Sequence, residues 1–218
     1  MLEISNVEIA GWKAALRGMR NPKNSWERSD SKFDVREYEY PDDLVPISVE
    51  PISMGPNDLK LANALADGGP VHAKYRRMIV VWLDINAPLY WWKEFDTYKV
   101  GTVANSCSTM HKIHDRDMTL KDFSHERMTF GARDMLAQTI CELNDLRRKF
   151  VETKDKAYWD SLIQLLPTSY NQKRTVMLSY EVLANIYRWR RNHKLDEWHT
   201  FCDWVESLPY SELITGKR

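Results

Sequence analysis

Apolar and polar residues alternate through EISNVEIA at residues 3–10, and a period of two over that length predicts a half-buried strand. Trp12 to Met19 has helical spacing and is stopped by Asn21-Pro22. Residues 21–56 are rich in Pro, Ser, Asp and Asn, which predicts a long excursion with short strands at most. Helical spacing returns from Asn57 to Ala66, with Leu59, Leu61, Ala62 and Leu65 inward and Asp67-Gly68-Gly69-Pro70 as the stop. The β-branched and aromatic run YRRMIVVWLDIN at 75–86 predicts a buried strand. After Ala87-Pro88, LYWWKEFDTYK suits a helix with Pro at its first turn, and Gly101 to Thr109 reads as a small polar loop. Residues 132–151 predict an amphipathic helix carrying Met135, Leu136, Ile140, Leu143, Leu146 and Phe150 on one face. A second helix at 155–165 follows, then a strand in TVMLSY and helices at about 180–191 and 194–207. The pattern is that of one α/β (α+β) domain over 1–218, with the direction of its strands left open.

Composition narrows the function. Over 218 residues, 31 Lys and Arg balance 31 Asp and Glu, so the chain lacks the long-range positive field of a non-specific duplex or anionic-membrane binder, though a local basic patch stays open. With 43% hydrophobic residues it can bury a core. Nine Trp and ten Tyr suggest stacking surfaces or a large subunit interface. Cys107, Cys141 and Cys202 form no C-x-x-C pair, which argues against a disulfide framework and a structural zinc site. His111, His114 and His125 lack metal-ligand spacing, so no metal is expected. The longest apolar run, Met78 to Leu83, is strand-sized, and the N-terminal segment has acids where a signal peptide has bases; a soluble cytoplasmic protein is expected.

Four clusters carry candidate chemistry. On a helix through 89–99, Trp92, Asp96 and Lys99 share a face beside Glu94 and Tyr98. They would supply a stacking ring, a carboxylate for ring N–H or ribose hydroxyls, and a cation for phosphate; alternatively this is a solvated helix with its tryptophans in the core. Asn105, Ser106 and Ser108 offer an amide and hydroxyls for an anion, or belong to a plain connection. Neither standard nucleotide fingerprint is present, and Cys107 as a nucleophile would need a base partner that the sequence does not show. Arg190 sits in the densest basic cluster, with Arg188, Arg191, His193 and Lys194. Arg17, Arg20, Asn24 and Trp26 combine guanidinium, amide and indole groups in a stretch that is otherwise a surface loop.

The segment LPTSYNQKRTVMLSYEVLANIYRWRRNHKLDEW and the segment from His72 through LDINAPLYWWKEFDTYKVGTVANSCSTMHK together resemble the flavin-dependent thymidylate synthases, the ThyX family. In LPTSYNQKRTVMLSYEVLANIYRWRRNHKLDEW, residues 166–198, Leu166-Pro167, Leu183, Asn185 and Arg190 fall on like residues of the family's C-terminal block. From His72 through LDINAPLYWWKEFDTYKVGTVANSCSTMHK, His72 takes the place of the family His, Lys93-Glu94 replace Arg-Gln, and Thr97-Tyr98-Lys99 replace the Arg-His-Arg motif. The family Ser near the pyrimidine aligns with Cys107 or, one residue to either side, with Ser106 or Ser108, and the flavin-contacting Asn and Arg fall on Ser179 and Glu181.

The resemblance implies a mixed sheet flanked by helices in a homotetramer with shared sites, as in bacterial and phage relatives. It implies a small anionic nucleotide-type ligand and FAD, although Glu at the flavin-contacting position would repel an anion. Three functions follow: a nucleotide-binding and sequestering protein without classical thymidylate synthesis, a working flavoenzyme that modifies a pyrimidine at C5, or an interaction module that kept only the fold.

Overall fold

A computed structural model of the chain describes residues 2–39 and 44–217, and for residues 34–39 and 44–52 the backbone alone. In chain order the elements are β1 (Glu3–Ala10), α1 (Trp12–Arg20), β2 (Lys32–Glu39), β3 (Leu44–Ser53), α2 (Pro56–Asp67), β4 (Val80–Pro88), α3 (Leu89–Phe95), β5 (Thr102–Ser106), α4 (Thr109–Lys112), α5 (Phe130–Thr153), α6 (Lys156–Leu165), β6 (Asn171–Ser179), α7 (Tyr180–Arg190), α8 (Asp196–Glu206) and α9 (Glu212–Thr215). Short 3-10 turns cover Asn21–Lys23, Trp26–Arg28, Ala73–Arg77 and Leu120–Asp122.

The main sheet has the order β1-β4-β6-β5 and is antiparallel. Leu89 N–H donates to the Tyr170 carbonyl and Tyr180 N–H to the Ile79 carbonyl, so the end of β4 lies beside the start of β6. β2 and β3 pair separately as an antiparallel ribbon. Their eight and ten residues exceed the short strands expected within 21–56. Ladder pairing holds a segment whose Pro and Asp content reads as loop. Part of that excursion, residues 40–43, lies outside the described residues.

Three further boundaries differ from the pattern. Residues 73–77 form a 3-10 turn, so the strand expected from 75 begins at Val80. α3 ends at Phe95, not at 99: the Thr97 hydroxyl donates to the Glu94 carbonyl, a local bond that competes with another helical turn. Gly101, at φ +77, then turns the chain into β5, an edge strand where a loop was expected. Four of its five residues are exposed, so it carries no core-facing alternation to mark it.

The chain divides into two compact units. The first comprises Met1–Ser5, Asp84–Thr97 and Ala104–Thr175. Its apolar core joins Leu136, Ile140 and Leu143 of α5 to Leu162 of α6, with Ile113, Met118 and Phe123 from the preceding segment. Thr129 and Asp155 cap the two helices with their side-chain oxygens, and Lys154 at φ +59 makes the turn between them. The second unit comprises Asn6–Leu83, Tyr98–Val103 and Val176–Arg218. Its core gathers Trp12, Leu16, Val81, Val176, Leu183, Trp198 and Phe201, all nearly sealed from solvent. Tyr180 and Tyr210 meet the Trp12 ring edge-on at 5.1 and 5.4 Å. No helix among the described residues is long and apolar enough to cross a membrane.

Candidate functional site

In the first unit, α3 carries three aromatics inward. Trp91, Trp92 and Phe95 pack against one another with centroids 4.9 to 5.3 Å apart. Trp92 is 1% exposed and its indole N–H donates to the Gln172 carbonyl at 2.9 Å. The Arg174 guanidinium lies 4.2 Å from the Trp92 ring centroid and donates to the Asp96 carboxylate at 2.7 Å. Trp92 and Asp96 are thus brought together, but by an arginine 78 residues from Asp96, and the indole is a packing surface for that arginine in place of an open platform for a base. Glu94 stays half-buried on α3, while Asn105 and Ser106 lie exposed on β5.

Beside this cluster the same unit contains a cleft of about 410 Å³, within the range of small-molecule sites. Ser108 lines it, and so do Cys107, Lys112, Arg116, Lys121, Tyr170 and Lys173. The Ser108 hydroxyl caps α4 by accepting the His111 N–H and lies 2.7 Å from His111 Nδ1. Asp122 grips both Nη groups of Arg116 and accepts from the Thr119 N–H and hydroxyl. Burial would raise its pKa, but the bonds from Arg116 and Thr119 hold the carboxyl below the usual carboxylate range. Burial, then the Asp122 charge, pushes the Tyr170 phenol up. Lys112 pairs with Asp115 at 2.9 Å and Lys173 with Asp84 at 2.8 Å.

The second unit holds the remaining candidates. Arg190 Nε donates to the Tyr98 hydroxyl at 2.9 Å, and its guanidinium lies 4.9 Å from the Trp198 ring centroid. Lys99 is exposed and makes no ion pair among the described residues. His72, also exposed, leads into the 3-10 turn at Ala73–Arg77. Arg17 and Asn24 are exposed, and Trp26, 49% exposed, donates its indole N–H to Asn21 Oδ1. Arg20 is different. Its guanidinium is buried and spends its donors on Asp58 at 2.6 Å and on the Ser25 and Arg28 carbonyls, which makes it a brace for the surrounding turns.

Glu181, at a position the resemblance assigns to a flavin-contacting arginine, accepts from Arg76 Nε at 2.8 Å. Arg76 also donates to the Leu213 carbonyl, and Ser179 accepts the Val182 N–H as the cap of α7. Neither aligned side chain offers a cation to the pyrophosphate of FAD, so these two positions do not fit that cofactor. No group of three or more His, Cys, Asp or Glu among the described residues could hold a metal ion. Cys202 is buried, which pushes its thiol up to about 11 and leaves it protonated.

Sequence reasoning missed Arg174, Arg116, Lys121 and Lys173. The alternation that marks β6 runs back through NQKR, and extending that strand to Asn171 would have put Lys173 and Arg174 on opposite faces. Nothing local signals the cleft's other cations.

No protein-family model matches the sequence, and no curated protein matches it. Solved structures do. The flavin-dependent thymidylate synthase ThyX from Helicobacter pylori, complexed with FAD and dUMP, aligns with a TM-score of 0.67 at 15% identity over 98% of this chain and 97% of its own. The UMP/dUMP methylase PolB from Streptomyces cacaoi, bound with 5-Br UMP, aligns with a TM-score of 0.63 at 10% identity over 99% of this chain and 94% of its own. The chain therefore has a divergent form of the ThyX fold.

Proposed function

We propose that this protein binds a nucleotide or nucleotide-derived ligand in a pocket between subunits of a homotetramer, and sequesters it without classical thymidylate synthesis. Both solved neighbours carry pyrimidine nucleotides, and their likeness to this chain runs nearly end to end. The observation that carries the second half of the reading is the fate of the aligned ligand positions. Thr97 caps α3, the Tyr98 hydroxyl accepts from Arg190, and Glu181 pairs with Arg76. These three groups, which the resemblance aims at a phosphate or a flavin, are spent inside the chain.

Binding does not need those lost groups. Base stacking contributes ~1–3 kcal/mol, and each charge-assisted contact to phosphate about 1.5–3 kcal/mol. One ring and two or three cations would reach micromolar affinity. Calorimetric titration with dUMP and UMP tests the reading: Lys99→Ala and Arg190→Ala are each expected to weaken binding about tenfold. Unchanged affinity in both would remove these two residues from the pocket. Purified protein that is yellow, or that takes up added FAD with a shift in flavin absorbance, would instead favour a working flavoenzyme.

A further inference from the structure

In the second unit, only part of the basic stretch that ends α7 is taken up inside the chain. From Val182 to Leu195 there are Arg188, Arg190, Arg191 and Lys194 and no acid. Arg190 is committed to Tyr98, and Arg191 to Tyr187 and Glu206. Arg188 and Lys194 are exposed and make no ion pair among the described residues. The flanking acids are held elsewhere. Glu181 pairs with Arg76, and Asp196 and Glu197 sit in the first turn of α8, where that helix's positive end favours them. Asp196 also lies 3.3 Å from His199 Nδ1.

Trp189 stands beside Arg188 and is 69% exposed, more than Trp26 or Trp82. α7 buries its other side through Leu183, Ile186 and Tyr187. Asn185, Arg188 and Trp189 follow at i, i+3 and i+4, so these three exposed residues share the outer face. Exposed Asn192 continues it in the turn beyond, where the His193 N–H donates to the Arg190 carbonyl and keeps the chain, Lys194 included, at the helix end. Trp92 is roofed by Arg174 and Trp198 by Arg190, whereas the Trp189 ring is open.

We infer that this face of α7 docks single-stranded RNA, with a base stacked on Trp189 and phosphates on Arg188 and Lys194. An open indole needs an unstacked base, which a duplex does not present, and two cations on a chain of zero net charge supply little field for a duplex. The Asn185 and Asn192 amides each carry a donor and an acceptor, which a ribose 2′-hydroxyl can meet and a deoxyribose cannot. An acidic peptide would meet the cations but brings no base for the indole. The inference goes beyond the nucleotide pocket and uses neither Lys99 nor Arg190.

Fluorescence anisotropy of labelled oligouridine with the full chain tests it, in excess UMP to keep the nucleotide pocket occupied. Trp189→Ala is expected to weaken binding at least about fivefold, and Trp189→Phe less, because it keeps a ring. The slope of log affinity against log salt should be about −1.4, falling to about −0.7 in Arg188→Ala and likewise in Lys194→Ala. Oligodeoxyuridine of equal length and the oligouridine–oligoadenylate duplex should each bind at least about fivefold more weakly. Thermal denaturation reports that each variant is folded. Unchanged affinity in Trp189→Ala, or an unchanged slope in both cation variants, overturns the inference. Equal binding of oligodeoxyuridine overturns the choice of RNA, and equal binding of the duplex overturns the stacking. If Trp189→Ala alters the oligomer seen by light scattering and not the affinity, the face is a subunit contact. If it lowers UMP affinity, the strand was occupying the nucleotide pocket; in either case the inference fails.

Discussion

Two ion pairs, one from each unit, are built in opposite ways. In the second, Arg20 and Asp58 meet with side chains 4% and 0% exposed, and Ser29 and Ser31 add hydroxyl donors to the same carboxylate. In the first, Lys156 and Asp160 pair across one turn of α6 with 76% and 39% exposure. A sealed pair is a fixed part of the architecture, because either partner left alone would be a buried charge. An exposed pair costs little to break, so its members stay available to a ligand. The distinction separates Arg20, which sequence reasoning offered as a ligand group, from Lys173, half exposed in its pair with Asp84, which it did not.

Asp58→Ala is the largest test of that contrast. It strands the Arg20 guanidinium in the core and should cost about 3–5 kcal/mol in denaturant unfolding. A loss under 1 kcal/mol would show the pair to be dispensable. Acid comes next. Burial would raise the Asp58 carboxyl, but bonds from Ser31, Ser29 and Arg20 bring it below its ordinary value of 3.8, and Asp122 is lowered likewise. The unfolded chain therefore takes up these protons first as the pH falls. The stability they contribute is complete above the unfolded value and is lost as pH drops through it towards the folded values. Melting temperature should hold from neutral pH to about 5 and fall below about 4, less steeply in Asp58→Asn relative to its own neutral value. At the small end, Lys156→Ala should change stability by about 0.3–0.5 kcal/mol plus any propensity gain from alanine, with the ionic part vanishing in high salt.

Much of the fold is legible in the residues because its signals are local. The alternation in EISNVEIA predicts β1, and the 3.6-residue stripe through Leu136, Ile140 and Leu143 predicts α5. Where a neighbour decides, the pattern misleads. β5 becomes a strand because β6 pairs with it, and α3 stops early because Thr97 turns its hydroxyl back on Glu94. The candidate site suffers most. Spacing puts Asp96 on a helix face with Lys99, yet its partner is Arg174 on β6.

Residue order by itself determined the run of helices and strands, the neutral charge balance and the resemblance to a nucleotide-handling family. Only the tertiary structure decided which charges are walled in and which line a cleft. Periodicity records what lies three or four residues away, whereas burial and pairing depend on groups such as Arg76 and Glu181, more than a hundred residues apart and joined only by folding.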